Sequence, residues 1–325
     1  MDPKEQLGKL NSLYIRTNIP KIFSEETPPT NTNKKYTIGC SVYNSEYEYF
    51  KSMQDGVIAR ATELDMNVIT HNQNSNTIEM INGCIELINQ NVAGLIISPY
   101  NPEAVPIIVS DAQKKKIPVI IIDQGTGGAD VEAFIISDSF AGGIIAAEYS
   151  LKLIKQHSIK SNNVAIIKVE KTSTYALRRG QAYKSVMLDS GYHVVAEVTA
   201  NSLELEAYNV MKVILGTYKD DLAAVFCEND RMALGAAKAI EEAGKKGQII
   251  LIGFDGISAA IEAIKEGLMQ GTIAQQPIKM GRIGAEIMHT ILEGELITYD
   301  DWTRKVIYIE VYLIDENGQP RFNAI

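Results

Sequence analysis

Two carboxylates in this chain end apolar strands, and they are the first candidates for chemistry. Ile117-Pro-Val-Ile-Ile-Ile-Asp123-Gln-Gly and Gln248-Ile-Ile-Leu-Ile-Gly-Phe-Asp255-Gly each run an apolar stretch into an aspartate. An ionised carboxylate accepts several hydrogen bonds and can take two from neighbouring hydroxyls. That suits a ligand rich in hydroxyl groups. A single aspartate after a strand is more often a helix cap or a loop residue, but two at matching places favour a ligand. Each is preceded, at a similar interval, by another apolar strand, Gly94-Leu-Ile-Ile-Ser98 or Ala224-Val-Phe-Cys227. Two similar α/β units would each carry one carboxylate at the C-terminal edge of a parallel sheet, where ligands of such sheets bind.

Other side chains could serve the same ligand. In Cys227-Glu-Asn229-Asp230-Arg-Met-Ala-Leu-Gly235 a strand gives way to a helix. Asn229 offers a donor and an acceptor to a hydroxyl, while Asp230 is placed to cap the helix. Gln275 ends the short strand of Gly271-Thr-Ile-Ala-Gln275 and could reach the same cleft. Tyr43, Tyr47, Tyr49 and Phe50 cluster after the first strand. A sugar packs its C–H face on such rings, with core packing the alternative for one or two of the four. Arg178 and Arg179 open the helix after the strand Val164–Val169, so one faces the cleft and the other solvent.

Several chemistries lack their signatures. Gly142-Gly143 has neither Walker nor dinucleotide spacing, and close helix packing explains it better. His71, His157, His193 and His289 show no metal-ligand spacing. No Gly-x-Ser-x-Gly elbow occurs. No catalytic residue, metal or cofactor is therefore expected. Asp123 and Asp255 would serve a glycosidase only if they stood roughly 5–10 Å apart with one pKa raised, and that ranks last.

Strands are predicted near 36–42, 67–71, 93–98, 117–122 and 133–137, then near 163–169, 193–198, 222–227, 248–253, 271–274 and 305–313. Helical spacing fills the gaps. Phe50, Met53, Val57, Ala61 and Leu64 form one apolar face, and Ile78, Ile81, Ile85, Ile88 and Val92 another. Strand and helix alternate, which implies parallel sheets with helices on both faces. Glu5 to Phe23 could form an amphipathic helix, with Leu7, Leu10, Leu13 and Tyr14 on one side. The polar linker Ser24 to Asn33 follows it.

The 325 residues suit two domains of ordinary size. Hydrophobic content is 46% and mean hydropathy is −0.04. No apolar run reaches the ~18–20 residues of a membrane span. A net charge of −9 disfavours nonspecific nucleic-acid binding. Cys40, Cys84 and Cys227 lie in or beside apolar stretches and read as small buried thiols.

With these residues in place, the chain resembles the periplasmic sugar-binding proteins of the ribose/xylose-binding type, whose type I fold is shared with LacI-type repressor cores. The resemblance covers nearly all of residues 36–315. Its specific marks are Ala224-Val-Phe-Cys-Glu-Asn-Asp-Arg-Met-Ala-Leu-Gly235, Gly253-Phe-Asp-Gly256 and Thr272-Ile-Ala-Gln275, with support from Asn209-Val-Met211 and Ile136-Ser-Asp138. It implies ligand contacts at Asp123, Asn229, Asp255 and Gln275, and paired aromatics at Tyr49 and Phe50. The family's usual arginine after the first aspartate is replaced by Gln124. Its cleft arginine falls on Leu177, beside Arg178, and a second-lobe aromatic falls near Ser202. The resulting set of expected contacts is Tyr47, Tyr49, Phe50, Asp123, Gln124, Arg178, Asn229, Asp255 and Gln275.

The expected fold is α/β, with two similar doubly wound parallel-sheet lobes joined by a three-segment hinge. The expected parts are an N-terminal helix and linker (1–35), an N-terminal lobe (36–137 plus 276–300) and a C-terminal lobe (138–275 plus 301–325). The crossings are expected near Ser137, Gln275 and Asp301. The resemblance implies an extracytoplasmic receptor for a monosaccharide, a pentose such as xylose or ribose being favoured. It would close on its sugar and present the closed form to an ABC sugar permease or to the extracellular domain of a membrane sensor kinase. An export or anchor segment would lie outside this sequence, and residues 1–23 could support self-association. The alternative is the sugar-sensing core of a repressor, which needs roughly 50–60 residues of DNA-binding helices before it. Residues 1–35 carry six cations to four anions, a net of +2, which is weak for DNA.

Overall fold

Apolar strands alternating with amphipathic helices bury both kinds of element when helices cover the two faces of a parallel sheet. The computed structural model describes residues 35–318 except Thr172 and Thr174, and it contains two such assemblies. The helix and linker expected within residues 1–34 lie outside the described residues.

The first sheet holds β1 (Tyr36–Val42), β2 (Met66–Asn72), β3 (Gly94–Ser98), β4 (Val119–Ile122), β5 (Ala133–Ser137) and β11 (Val306–Ile309). Its order is β11-β5-β4-β3-β1-β2, with every pair parallel. The second holds β6 (Asn163–Lys168), β7 (His193–Thr199), β8 (Ala224–Cys227), β9 (Ile250–Asp255), β10 (Gly271–Ala274) and β12 (Tyr312–Asp315), in the order β12-β10-β9-β8-β6-β7. β12 alone runs antiparallel. Strands β3, β4, β5, β8 and β10 are buried along their whole length. That is why they read as continuous apolar runs and not as alternating ones. Each sheet reverses strand order once, between β1 and β3 and between β6 and β8. Such switch points open a crevice at the carboxyl ends of the strands.

The run predicted as one strand over 305–313 breaks at Glu310, and its halves enter different sheets. Without it, β5 and β10 would each leave a row of backbone donors and acceptors unpaired, and the run is long enough to cover both edges. Residues 301–309, expected in the C-terminal lobe, therefore belong with the N-terminal lobe. The third crossing lies at Glu310–Val311 and not near Asp301. The other two lie between β5 and α4 (Ser139–Gln156) and between β10 and α9 (Pro277–Leu292).

α9 packs on α1 (Glu48–Glu63) so closely that glycines are required. A Cβ at Gly281 would sit 2.0 Å from the Met53 carbonyl oxygen, and one at Gly56 would sit 2.2 Å from that of Ile278. Of the expected apolar face of α1, Phe50, Met53, Val57 and Ala61 are buried. In α2 (Thr77–Asn89) the buried face is turned. Met80, Ile81, Cys84, Leu87 and Ile88 are buried while Ile78 is 65% exposed. At 3.6 residues per turn Ile78 lies well away from the centre of that face. Gly142 and Gly143 provide close packing, a Cβ on Gly143 falling 2.1 Å from the Arg179 carbonyl oxygen. Among the described residues no helix is long and apolar enough to cross a membrane.

Candidate functional site

The carboxyl ends of the two sheets face one another across a cavity of about 510 Å³. It is lined by the loops that follow β1, β4, β6, β8, β9 and β10. Asp123 sits just past β4 at φ 76° and Asp255 ends β9 at φ 122°. Both conformations are unusual for residues other than glycine, and strain of this kind collects at functional sites. Gly256 permits the second turn, because a Cβ there would meet Ala274 Cβ at 2.5 Å.

The two aspartates belong to one hydrogen-bonded network. Asp123 accepts from Gln124 Nε2 at 2.6 Å and from Tyr49 Oη at 3.2 Å. Asp255 Oδ1 accepts from Gln275 Nε2 at 2.7 Å and from Arg179 Nη1 at 3.1 Å. Tyr49 Oη also lies 3.1 Å from Gln275 Oε1, so one hydroxyl spans the two halves of the network. Burial raises the pKa of both carboxyls. The Gln124 bond and the Arg179 charge oppose the rise at Asp123, and Arg179 and Gln275 oppose it at Asp255. Burial likewise pushes the Tyr49 phenol well above its ordinary value.

Aromatic rings line the cavity as well. Tyr43 stacks on Phe50 at 4.5 Å with the rings nearly parallel, and Tyr49 meets Phe50 edge-on at 5.1 Å. Tyr47 joins them from a half-exposed position. Tyr175, from the loop after β6, lines the cavity and packs edge-on against Phe134 of the N-terminal lobe at 5.0 Å.

Two pairs of neighbours divide their roles differently from expectation. Asn229, not Asp230, caps α7 (Asp230–Glu242), accepting from Met232 N at 3.0 Å. Asn229 lines the cavity as well, and its amide N–H groups remain available to a ligand hydroxyl. Asp230 is fully buried and accepts from Gly256 N (2.7 Å), Ile257 N (3.0 Å) and Thr272 Oγ1 (2.7 Å). It thereby fixes the loop that carries Asp255. Arg178 does not line the cavity. Its guanidinium lies 5.8 Å from the Phe140 ring and 3.5 Å from Tyr308 Oη. The cavity arginine is Arg179, which is 7% exposed and stacked 3.7 Å from the Phe254 ring centre. Its Nη1 also donates to the Glu228 carbonyl oxygen at 2.7 Å. One residue is a 100° step on a helix, and residue type alone did not separate these neighbours.

Tyr47, Tyr49, Phe50, Asp123, Gln124, Asn229, Asp255 and Gln275 of the expected set all line the cavity. Glu46, Glu48, Glu170, Ser173, Tyr175 and Arg231 join them and were not expected. Glu170 had a signal, since it follows the apolar strand β6 much as Asp123 follows β4. In all, Glu46, Glu48, Asp123, Glu170 and Asp255 face two cations, Arg179 and Arg231. The cavity is acidic and lined by both hydrogen-bonding groups and aromatic rings.

Residues 38–296 match the family of the periplasmic binding protein domain. The chain belongs to that family. Within it, this periplasmic binding protein is similar to the ribose import binding protein RbsB of Haemophilus influenzae, at 31% identity over 263 residues, 80% of this chain and 87% of that protein. It is similar as well to RbsB of Bacillus subtilis, at 31% identity over 288 residues, 88% of this chain and 92% of the relative. A crystal structure of an ABC transporter periplasmic solute binding protein from Actinobacillus succinogenes with bound D-allose superposes with a TM-score of 0.75. Its identity is 27%, covering 87% of this chain and 99% of that one. The two-lobed type I architecture of this periplasmic binding protein is that of its structural relatives.

Proposed function

We infer that the cleft binds a monosaccharide or a similar polyol as cargo and does no chemistry on it. The observation that carries this is the convergence of Asp123, Asp255, Gln275, Asn229 and Arg179 on one cavity together with the stacked Tyr43 and Phe50 rings. The polar set satisfies hydroxyl groups, and the rings take a C–H face. A ligand that left these desolvated groups unpaired would lose roughly 1–3 kcal/mol at each. Relatives named as ribose import proteins and a neighbour holding D-allose support the same class. A thermal-shift screen of pentoses, hexoses and inositols is expected to yield at least one stabilising ligand. At 100 times its Kd such a ligand adds about 2.7 kcal/mol. Calorimetry showing no heat with any of them would overturn the assignment.

The partner of the closed form is an ABC sugar permease, which the import role of the relatives favours over a sensor kinase, and the compartment is extracytoplasmic. Contacts between the lobes support closure as the signal. Ser258 Oγ donates to Glu48 Oε1 across the cleft at 2.8 Å, and Tyr175 seats on Phe134. Three crossings at 137–139, 275–277 and 310–311 leave the lobes free to hinge. Small-angle scattering is expected to give a smaller radius of gyration with sugar than without. An unchanged radius would mean a rigid binder or a state closed before binding.

A further inference from the structure

Glu170 stands on the cavity wall with both carboxylate oxygens engaged by serines that line the same wall. Ser173 Oγ donates to Oε1, and Ser202 Oγ donates to Oε2 at 2.7 Å. A hydroxyl has a single proton, so both serines have committed theirs to the carboxylate. What the three groups turn toward the cavity is lone pairs alone. Burial works to raise the pKa of this carboxyl, but the two serine bonds, its own backbone N–H and the Arg179 charge together lower it, so the group is ionised at neutral pH. The cation that acts on Glu170, Arg179, is already bonded to Asp255 and to the Glu228 carbonyl oxygen. Arg231 and the Tyr43 and Tyr175 hydroxyls also line the cavity, so the acceptor character belongs to Glu170 and its two serines and not to the cavity as a whole.

We propose that Glu170, set in place by Ser173 and Ser202, is a specificity-determining residue of the cleft. It forms an acceptor-only wall that admits ligands turning hydroxyl or ammonium protons toward it and rejects those turning a carboxylate or phosphate. This rests on the polyol assignment above and narrows it to neutral and amino sugars. A sugar hydroxyl can rotate to donate, as can an ammonium, whereas an anion would bring lone pairs against lone pairs and charge against charge.

The test is calorimetric titration of the full chain with the best-binding neutral monosaccharide from the screen and with its amino, uronic acid and phosphate analogues. The wild-type protein is expected to favour the neutral sugar over the two anions by about 100-fold or more, several unpaired acceptors being at stake. Glu170→Gln places an amide donor in the wall. It is expected to weaken the neutral sugar about tenfold and to bring the neutral-to-anion ratio below about tenfold. Ser202→Ala keeps the carboxylate and is expected to keep the rejection. If Glu170→Gln does not melt cooperatively, Glu170→Ala, which removes the charge and adds no group, carries the same expectation. A larger loss for the amino sugar than for its parent on Glu170→Gln identifies an ammonium as the natural donor, and equal losses identify a hydroxyl. A ratio unchanged by Glu170→Gln overturns the proposal and leaves polyol binding standing. A wild-type protein that binds no neutral sugar overturns both.

Discussion

Asp255→Ala is expected to lower sugar affinity at least ~30-fold while the protein still folds. Asp255 bonds only to groups of the cleft, Arg179 and Gln275. Its removal takes an acceptor from the ligand and leaves a 7%-exposed guanidinium without its counter-charge. A hydrogen bond to a charged group is worth about 1.5–3 kcal/mol, an ionised carboxylate can take two from a ligand's hydroxyls, and each 1.4 kcal/mol is about tenfold in Kd. Folding is less affected. Asp123 and Asp230 both feel the Asp255 charge as a repulsion, which the substitution removes. Calorimetry beside a thermal melt separates the two quantities. Unchanged affinity would place the ligand elsewhere.

The second large effect is on stability. Burial pushes the Glu228 carboxyl from 4.5 up to about 7, with Val169 N and the Arg179 charge opposing the rise. Burial, with the charge of Asp255, pushes Asp230 from 3.8 up to about 7 as well. Between the unfolded and folded pKa values the folded state holds more protons than the unfolded one. Stability therefore falls as pH rises through that window. At roughly 1.4 kcal/mol per unit, Glu228 alone accounts for a loss on the order of 3 kcal/mol between about pH 4.5 and 7. Glu63, exposed and paired with Arg282 and Arg60, has its pKa lowered to about 2 and acts oppositely below about pH 4.5. Denaturant unfolding is thus expected to show greater stability near pH 5 than near pH 8. Glu228→Gln should flatten that slope, because one oxygen still accepts from Val169 N at 2.8 Å and no charge is left to bury. Equal slopes in the two proteins would remove Glu228 from the account.

Much of this architecture is legible in the sequence because buried parallel strands are near-continuous apolar runs. The residues at their ends are then identifiable by position. That is why Asp123, Asp255 and Gln275 could be placed on one cleft before any coordinates. What was not legible has three physical sources. Neighbours of similar chemistry differ only in direction, so Asn229 took the cap expected of Asp230 while still lining the cavity, and Arg179 replaced Arg178. Pairing is a property of edges and not of residues, so the run at 305–313 gave no sign that two sheets would divide it. Glu170 was passed over because its partners, Ser173 and Ser202, come from separate loops and meet it only in the folded chain.

The division of that last apolar run governs the order in which the molecule can be assembled. β11 is an outer strand of the first sheet, yet in the chain it comes after β6 to β10 of the second. During synthesis the edge of the N-terminal lobe is sealed only after strands β6 to β10 of the other lobe have been made, and β12 seals that other lobe a few residues later. Neither lobe is a contiguous stretch, so one short segment completes both. A ribosome stalled before residue 306 would hold two lobes with open edges.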